Sequence, residues 1–352
     1  MNNSFEQKPD TLNTVLDNNK IEDVKFISIT SDLENAGGEH ENIKIKLGED
    51  GKPRLLVFED IDKTLLHLEP TYNEIRKNMW PEAVAQDGLS EFSKVHLDGF
   101  RLGTMWRELY RIYGIYSLGK SEWRDVNIYQ KDFLASGKEG EHIDEPGDKY
   151  HEFSDDLLKK FDEIAARTVE EQAKDDPHFF DESKIGPMFK LNTLYKRLQI
   201  PVVGMSANPK KFIEALCKYT GLASNFIMCA SDTDVPGTKE YKMKWLTDQL
   251  EKKGLPVPYD RLLVIGDSPV GDVGSASKYK QLIRNEHPEV SASGIVIIAN
   301  ENDLEDAVIK LKEVNDIDIH TFDYTKVPTD KGESMLFSRN RGRFLQRLKK
   351  FR

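Results

Sequence analysis

Residues 54–64 read RLLVFEDIDKT, an apolar run that is followed at once by closely spaced acidic residues. A continuous apolar run of this length predicts a strand that is covered on both faces, as in a parallel sheet. Asp60 and Asp62 come at its end, and side chains two positions apart on an extended chain project to the same side. Two nearby carboxylates repel each other, so one is expected to be neutralised by a divalent cation or to hold a proton as a general acid.

The pattern around this strand predicts an α/β fold. After residue 190, helical patterns alternate with further apolar runs, which favours right-handed crossovers and a parallel sheet. The last of these strands is expected to complete the core. The predicted strands cover residues 200–205, 226–229, 261–265 and 294–298, and the predicted helices cover residues 208–219, 241–253 and 303–314.

Other polar residues are predicted at the carboxyl ends of these strands, where ligands gather in such sheets. Ser206 stands directly before a helix N-terminus, whose free N–H groups favour a phosphate oxygen. Asp267 and Asp272 follow the strand at 261–265, together with glycines that let the backbone approach a ligand. Ligation by oxygen alone suits Mg²⁺, which prefers a few carboxylates together with water and substrate phosphate.

A lysine is still needed to offset the charge of a phosphate. Lys239, Lys242 and Lys244 all lie near the start of the helix that follows residues 226–229. Each motif taken alone is more often a solvated turn or a helix cap. Their joint occurrence at the ends of predicted parallel strands favours a catalytic site instead.

Together, these motifs resemble those of the haloacid dehalogenase (HAD) superfamily of phosphatases. That family is recognised by Asp-x-Asp-x-Thr after a first strand, Ser or Thr after a second, a lysine, and then Gly-Asp-x-x-x-x-Asp. The matching positions are residues 60–64, Ser206, a lysine among residues 239–244, and residues 266–272. The resemblance covers residues 54–68 and 190–315, and Lys63 departs from the glycine that many relatives carry at that position.

The resemblance implies a mechanism for the paired aspartates. Asp60 would attack phosphorus and form an aspartyl-phosphate, while Asp62 would protonate the leaving oxygen and later accept a proton from water. Mg²⁺ would be held by the Asp60 carboxylate, the Asp62 backbone carbonyl and Asp267. Asp272 would support the metal.

The resemblance also implies which groups bind the phosphate. Ser206 and the N–H of Ala207 would hold phosphate oxygens, and a lysine would steady both the phosphoryl group and Asp60. Lys242 is the preferred lysine, because apolar residues three and four positions after it place it on the sheet-facing side of its helix. Lys239 is the second choice, and Lys244 is expected to be a solvated surface residue.

The predicted organisation is a Rossmann-like parallel sheet core of the HAD type with an inserted α-helical cap. The cap is indicated by the great length of the insert between Asp62 and Ser206, by an apolar stripe within residues 102–116, and by a helix capped by Ser154. Within the family, an insert at this point resembles the cap type called C1. The predicted units are a mobile N-terminal arm at residues 1–42 with one short strand near 24–29, the core at 43–68 and 190–315, the cap at 69–189, and a basic C-terminal extension at 316–352.

Composition excludes several classes of protein. The chain of 352 residues has a net charge of -11, which argues against a protein that coats nucleic acid. Cys217 and Cys229 are its two cysteines, which excludes a disulfide scaffold and favours a reducing, cytoplasmic location; both are predicted to be buried. Residues 336–352 are basic and interleaved with apolar residues. They would contact an anionic membrane surface or a protein partner, or else fold back onto the acidic body.

The predicted function is a Mg²⁺-dependent phosphatase that hydrolyses a small phosphomonoester through an aspartyl-phosphate on Asp60. Three alternatives stay open at this point. With an open cap, the same chemistry would serve a phosphorylated protein side chain. The chain would otherwise be a non-catalytic module that docks through its basic C-terminus, or a mutase that transfers a phosphoryl group to a sugar.

Overall fold

The computed structural model describes residues 25–79, 149–235, 238–298, 314 and 316–323. Among these residues, strands and helices alternate along most of the chain. The strands are β1 (Phe26–Glu34), β2 (His40–Lys46), β3 (Leu56–Asp60), β4 (Val202–Met205), β5 (Cys229–Ala230), β6 (Leu262–Gly266), β7 (Ala292–Ile298) and β8 (Asp318–Asp323). The α-helices are α1 (Glu69–Met79), α2 (Lys149–Asp175), α3 (Gly186–Leu198), α4 (Lys210–Thr220), α5 (Lys239–Lys252) and α6 (Gly274–Ile283).

Six of these strands form one sheet in the order β5-β4-β3-β6-β7-β8, and every neighbouring pair is parallel. The structure therefore confirms the predicted α/β class with a parallel sheet. One strand prediction was wrong: residues 294–298 do not complete the core, because β8 pairs with β7 beyond them. Only two of the six residues of β8, Ile319 and Phe322, are apolar, so this edge strand lacks the apolar run by which the other strands were predicted.

Strand β3 is central because both of its faces are covered. All five of its residues are buried, and successive side chains point to opposite layers. Val57 belongs to an apolar cluster that includes Tyr195 of α3 and Phe212 of α4. Phe58 belongs to a second cluster on the other face, and its ring centroid lies 6.5 Å from that of Tyr279 in α6.

The N-terminal hairpin corrects the extent of the predicted mobile arm. Strands β1 and β2 pair antiparallel and bury Ile29, Leu33, Ile43 and Ile45. Their backbone bonds reach residues that precede strands of the main sheet, since Lys46 N–H donates to the Gln199 carbonyl at 3.1 Å. The hairpin therefore lies at the amino ends of the strands, and residues 26–42 are part of the folded body.

The described parts of the predicted cap are helical and pack onto the core. Helix α2 begins at Lys149, so Ser154 lies inside this helix and does not cap it. Its later residues Phe161 and Ala165 are buried as predicted, and the Phe161 ring meets the Phe212 ring of α4 edge-on at 6.0 Å. The predicted stripe within 102–116 lies outside the described residues, so the cap and its type stay predictions.

Several other predictions fall outside the part of the chain that the structure describes. They concern residues 1–24, nearly all of the predicted helix at 303–314, and the basic segment at 336–352. The predicted domain boundaries therefore remain predictions, with two exceptions. Residues 26–42 belong to the folded body, and residues 318–323 add a strand to the sheet. Within the described ranges, no helix has both the length and the apolar character that crossing a lipid bilayer requires.

Candidate active site

The register of the sheet brings the sequence motifs to one edge. Asp60 pairs with Met205 across β3 and β4, so Ser206 follows directly beside the end of β3. On the other side of β3, Glu59 pairs with Ile265, so Asp267 lies just beyond the end of β6. Neighbouring parallel strands thus end together, and the residues that follow them lie at one edge of the sheet.

Three carboxylates gather at this edge. Asp60, Asp267 and Asp272 each offer an oxygen atom, and these atoms all lie within 4.8 Å of one another. Lys239 reaches into the group, with its Nζ 2.6 Å from Oδ1 of Asp60 and also in contact with Asp272. When all are ionised, three negative charges face one positive charge, which leaves an excess of two negative charges.

Asp272 reaches the site because of the turn that precedes α6. Residues Pro269–Val273 form one π-helical turn, and the Ser268 N–H donates to Oδ2 of Asp272 at 2.8 Å. Gly266 leaves the space that this carboxylate fills, since a β-carbon there would collide with Asp272. The glycine predicted to allow close approach therefore accommodates a side chain of the site itself.

The structure places Lys239 at Asp60, whereas the sequence analysis preferred Lys242. Lys242 does face the sheet and is buried, but its Nζ donates to Oδ1 of Asp232 at 3.0 Å and to the Val235 carbonyl at 2.6 Å. Lys239 is the first residue of α5, and side chains in a helix point back toward its N-terminus. From there it extends over the carboxyl ends of the strands, while Lys242 lies one turn farther along. Lys244 pairs with Asp248 on the surface.

Burial and crowding shift the pKa values of these groups. Burial raises the pKa of Asp60 to about 7; the Lys239 charge opposes this shift and the Asp272 charge adds to it. Burial also raises the pKa of Asp267 well above its usual value, with a further contribution from Asp272. For Lys239, burial lowers the pKa, but the charges of Asp272 and Asp60 outweigh burial and raise it overall. Crowding of the three carboxyl groups thus disfavours their full ionisation in the absence of a further cation.

The donor set fits a divalent magnesium ion. Asp60, Asp267 and Asp272 supply oxygen atoms only, which is the ligand chemistry that Mg²⁺ prefers. Their excess of two negative charges equals the charge that such an ion would neutralise. The side-chain carboxylate of Asp62 is not part of this group, so any contribution of Asp62 would come from its backbone carbonyl, as the sequence analysis proposed.

Asp62 instead belongs to a network that sequence reasoning missed. Burial raises its pKa to about 6, while the Lys63 charge and a hydrogen bond from Tyr72 lower it. The Tyr72 hydroxyl lies 3.1 Å from Oδ2 of Asp62 and receives a hydrogen bond from the Asn208 side-chain amide at 2.9 Å. Tyr72 lies on α1, eight residues beyond the Asp-x-Asp-x-Thr motif, and no spacing rule points to it.

The predicted phosphate-binding loop lies beside this network. The Ser206 hydroxyl is buried and accepts a hydrogen bond from the Asn208 N–H at 3.0 Å. The Ser206 N–H donates to the Ala230 carbonyl at 2.9 Å, which ties the loop to β5. Ala207 is exposed at the turn between β4 and α4. Their roles toward phosphate remain predictions.

A second polar cluster surrounds Glu59, the residue before Asp60 in β3. Glu59 is fully buried on the opposite face of β3 from Phe58, and its Oε2 accepts a hydrogen bond from the Asn192 side-chain amide at 2.5 Å. Among the described residues, Glu59 Oε1, Asn192 Oδ1 and the Tyr195 hydroxyl have no hydrogen-bond partner. Burial raises the pKa of Glu59 to about 8, because its charged form is poorly solvated there. A glutamate inside an apolar run was the signal for this cluster.

The remaining titratable candidates lie apart from the carboxylate group. The His67 side chain is exposed, its backbone N–H donates to the Ser183 carbonyl at 2.7 Å, and partial burial lowers its pKa. Cys217 is buried as predicted, but Cys229 is partly exposed, because β5 is short and lies at the edge of the sheet.

The comparisons with known proteins found similarity of structure alone. No family model matches the chain, and no curated protein is significantly similar to it. Similar solved structures include a HAD phosphatase from Thermococcus onnurineus, 18% identical, covering 70% of this chain and 87% of that one with a TM-score of 0.38. CbbY from Rhodobacter sphaeroides in complex with phosphate is 16% identical, with coverages of 68% and 84% and a TM-score of 0.35.

A third similar structure is the L-2-haloacid dehalogenase from Xanthobacter autotrophicus. It is 12% identical, covers 72% of this chain and 82% of its own, and has a TM-score of 0.36. Because all three TM-scores lie below 0.5, we base the functional proposal on the geometry of the site.

Proposed function

We propose that the protein is a Mg²⁺-dependent phosphatase of the HAD type that hydrolyses a phosphomonoester through an aspartyl-phosphate on Asp60. The observation that supports this most is that Asp60 and Asp62, two residues apart at one edge of the sheet, have different surroundings. Asp60 lies in the carboxylate group beside Lys239, whereas the Asp62 side chain lies outside that group and is hydrogen-bonded by Tyr72. Such a pair suits a nucleophile and a separate general acid.

In the first step, a carboxylate oxygen of Asp60 attacks phosphorus, and the bond between phosphorus and the ester oxygen breaks. Asp62 donates its proton to that leaving oxygen, so the alcohol departs neutral. In the second step, Asp62 accepts a proton from a water molecule that attacks the same phosphorus. The bond to Asp60 breaks, inorganic phosphate leaves, and both aspartates return to their starting states.

The other residues stabilise charge during these steps. Lys239 contacts Asp60 directly and would steady both the nucleophile and the phosphoryl oxygens. Ser206 and the Ala207 N–H would hold further phosphate oxygens. Mg²⁺ would be bound by Asp60, Asp267, Asp272 and the Asp62 carbonyl, and when bound it neutralises the charge of phosphate and carboxylates.

The test is turnover of p-nitrophenyl phosphate with Mg²⁺ and with EDTA. We expect Mg²⁺-dependent turnover, and Asp60→Asn should lower kcat about a thousandfold or more, because the amide is a poor nucleophile. Asp32→Asn is a matched control, since Asp32 is an exposed aspartate that pairs with Lys253, at the opposite end of α5 from Lys239. Turnover that is the same with Mg²⁺ and with EDTA, or that is unchanged in Asp60→Asn, would contradict the proposal.

The substrate class that we propose is a small phosphorylated metabolite. A screen of phosphorylated metabolites and phosphopeptides would test it directly. A clear preference for phosphopeptides would instead indicate a phosphoprotein phosphatase, and transfer to a sugar that exceeds transfer to water would indicate a mutase.

A further inference from the structure

Tyr72 joins three parts of the chain that meet at the general acid of the proposed reaction. It lies on α1, it contacts Asp62 after β3, and it contacts Asn208 after β4. Its side chain is 6% exposed, and its ring packs against that of Phe212 with centroids 5.9 Å apart. The hydroxyl group is therefore held in place by packing as well as by hydrogen bonds.

The direction of these hydrogen bonds follows from the chemistry of the groups. Asn208 is buried, and its backbone is fixed at both ends, since its N–H donates to Ser206 Oγ at 3.0 Å and its carbonyl accepts from the Asp232 N–H at 3.0 Å. Its side-chain Nδ2 can only donate, so the Tyr72 oxygen accepts at 2.9 Å. The single hydroxyl hydrogen of Tyr72 has two acceptors within reach, Asp62 Oδ2 at 3.1 Å and Asn208 Oδ1 at 3.2 Å. We infer that it points at Asp62, because a carboxylate oxygen is a stronger acceptor than an amide oxygen.

We propose that Tyr72 is a positioning residue that selects which oxygen of Asp62 exchanges protons with the substrate. A hydroxyl that donates to Oδ2 leaves Oδ1 as the oxygen that carries the acidic proton. That proton then passes from Oδ1 to the ester oxygen as the phosphorus–oxygen bond breaks. This inference rests on the proposed function, and it adds a residue that neither the sequence motifs nor the metal group contain.

The inference predicts that the loss of activity on removing the Tyr72 hydroxyl depends on the leaving group of the substrate. General acid catalysis matters most when the departing oxygen is strongly basic, as in phenyl phosphate, and least for p-nitrophenyl phosphate. Tyr72→Phe keeps the ring packing and removes the hydroxyl. We expect it to lower kcat/KM for phenyl phosphate about tenfold more than for p-nitrophenyl phosphate, because a misoriented acid protonates less effectively.

Tyr195→Phe is the matched control. Tyr195 is also a buried tyrosine of the same apolar cluster, but its hydroxyl has no hydrogen-bond partner among the described residues, and the carboxyl group near it is that of Glu59. Its substitution should leave the ratio of the two kcat/KM values unchanged. An equal loss on both substrates in Tyr72→Phe, or no loss on either, would overturn the inference.

A crystal structure of Tyr72→Phe gives a readout that does not depend on turnover. We expect the Asp62 carboxyl group to take more than one orientation in this variant and a single orientation in the parent protein. An unchanged, single orientation would contradict the inference. If the parent hydrolysed neither ester, the proposed function would fail, while the crystal structures would still decide whether Tyr72 orients Asp62.

Discussion

Glu59 shows how one residue in an apolar strand can carry a stability cost. Its carboxyl group is fully buried one position before Asp60, and it has a single hydrogen bond, from Asn192. Since burial disfavours the charged form, Glu59 retains its proton to a pH of about 8, whereas the group ionises near 4.5 in the unfolded chain. The folded state therefore binds more protons than the unfolded state between these two values.

We predict that Glu59→Gln removes a stability loss that grows with pH. A raised pKa in the folded state means that the parent loses stability as pH rises from about 4.5 to about 8, by up to roughly 5 kcal/mol, whereas Gln does not titrate. The difference in Tm between variant and parent, measured without Mg²⁺ at several pH values, should grow across this window. A constant difference would show that Glu59 is ionised in the folded protein.

Gly266 is a second position where one residue determines the site. A β-carbon at this position would occupy the space of the Asp272 carboxyl group. We predict that Gly266→Ala lowers kcat/KM for p-nitrophenyl phosphate about 10- to 100-fold, because a displaced Asp272 no longer supports the metal or Lys239. Gly274→Ala should have no such effect, since it begins α6 and its β-carbon would meet its nearest neighbour at 3.4 Å. Equal activities of the two variants would refute the role of Gly266.

Helix α5 illustrates how two lysines one turn apart on the same element serve different purposes. Lys239 contacts Asp60 and Asp272 at the sheet edge, whereas Lys242 is buried against Asp232 and the Val235 carbonyl. The second oxygen of Asp232 has no partner among the described residues. Loss of Lys242 would therefore leave a buried carboxylate without its counter-charge.

We predict opposite outcomes for substitution of these lysines. Lys239→Met should abolish most turnover, because the nucleophile and phosphate lose their cationic partner. Lys242→Met should lower the free energy of unfolding by about 3–5 kcal/mol while the folded fraction keeps its turnover. Urea unfolding and kcat, measured on both variants, separate the two effects. Loss of turnover at full stability in Lys242→Met would restore the assignment that the sequence analysis preferred.

At the scale of the whole molecule, the hairpin β1–β2 is part of the core although it lies outside the main sheet. Ile45 is completely buried in the same apolar cluster as Phe58 and Val264. The hairpin covers the amino ends of the strands, and the site lies at their carboxyl ends. The amino ends of the strands thus carry the hairpin, and their carboxyl ends carry the candidate active site.

We predict that Ile45→Ala lowers the free energy of unfolding by about 2–4 kcal/mol, through lost apolar burial and the cavity that remains. Phe26→Ala on the same hairpin should cost less than about 1 kcal/mol, since Phe26 is 43% exposed. Chemical denaturation of both variants is the measurement. Similar small losses in both would indicate that the hairpin is not coupled to the core.

Local sequence determined much of this protein. The apolar run before Asp60 specified a buried central strand, and the alternation after residue 190 specified a parallel sheet, because both depend on short-range periodicity. The meeting of Asp60, Ser206 and Asp267 was also predictable, since parallel strands end at a common edge. The small number of apolar residues in β8 concealed this strand, and the scattered apolar residues of β1 gave too weak a period for its full length to be recognised.

Only the tertiary structure showed which lysine contacts Asp60 and revealed the contacts of Tyr72, Asn208 and Glu59. Sequence spacing tells which side of a helix a residue occupies, but Lys239 and Lys242 both face inward, and their partners come from distant segments. Whether a side chain reaches Asp60 or Asp232 depends on where the helix starts relative to the sheet edge. That position is set by packing across the whole core, and no local pattern records it.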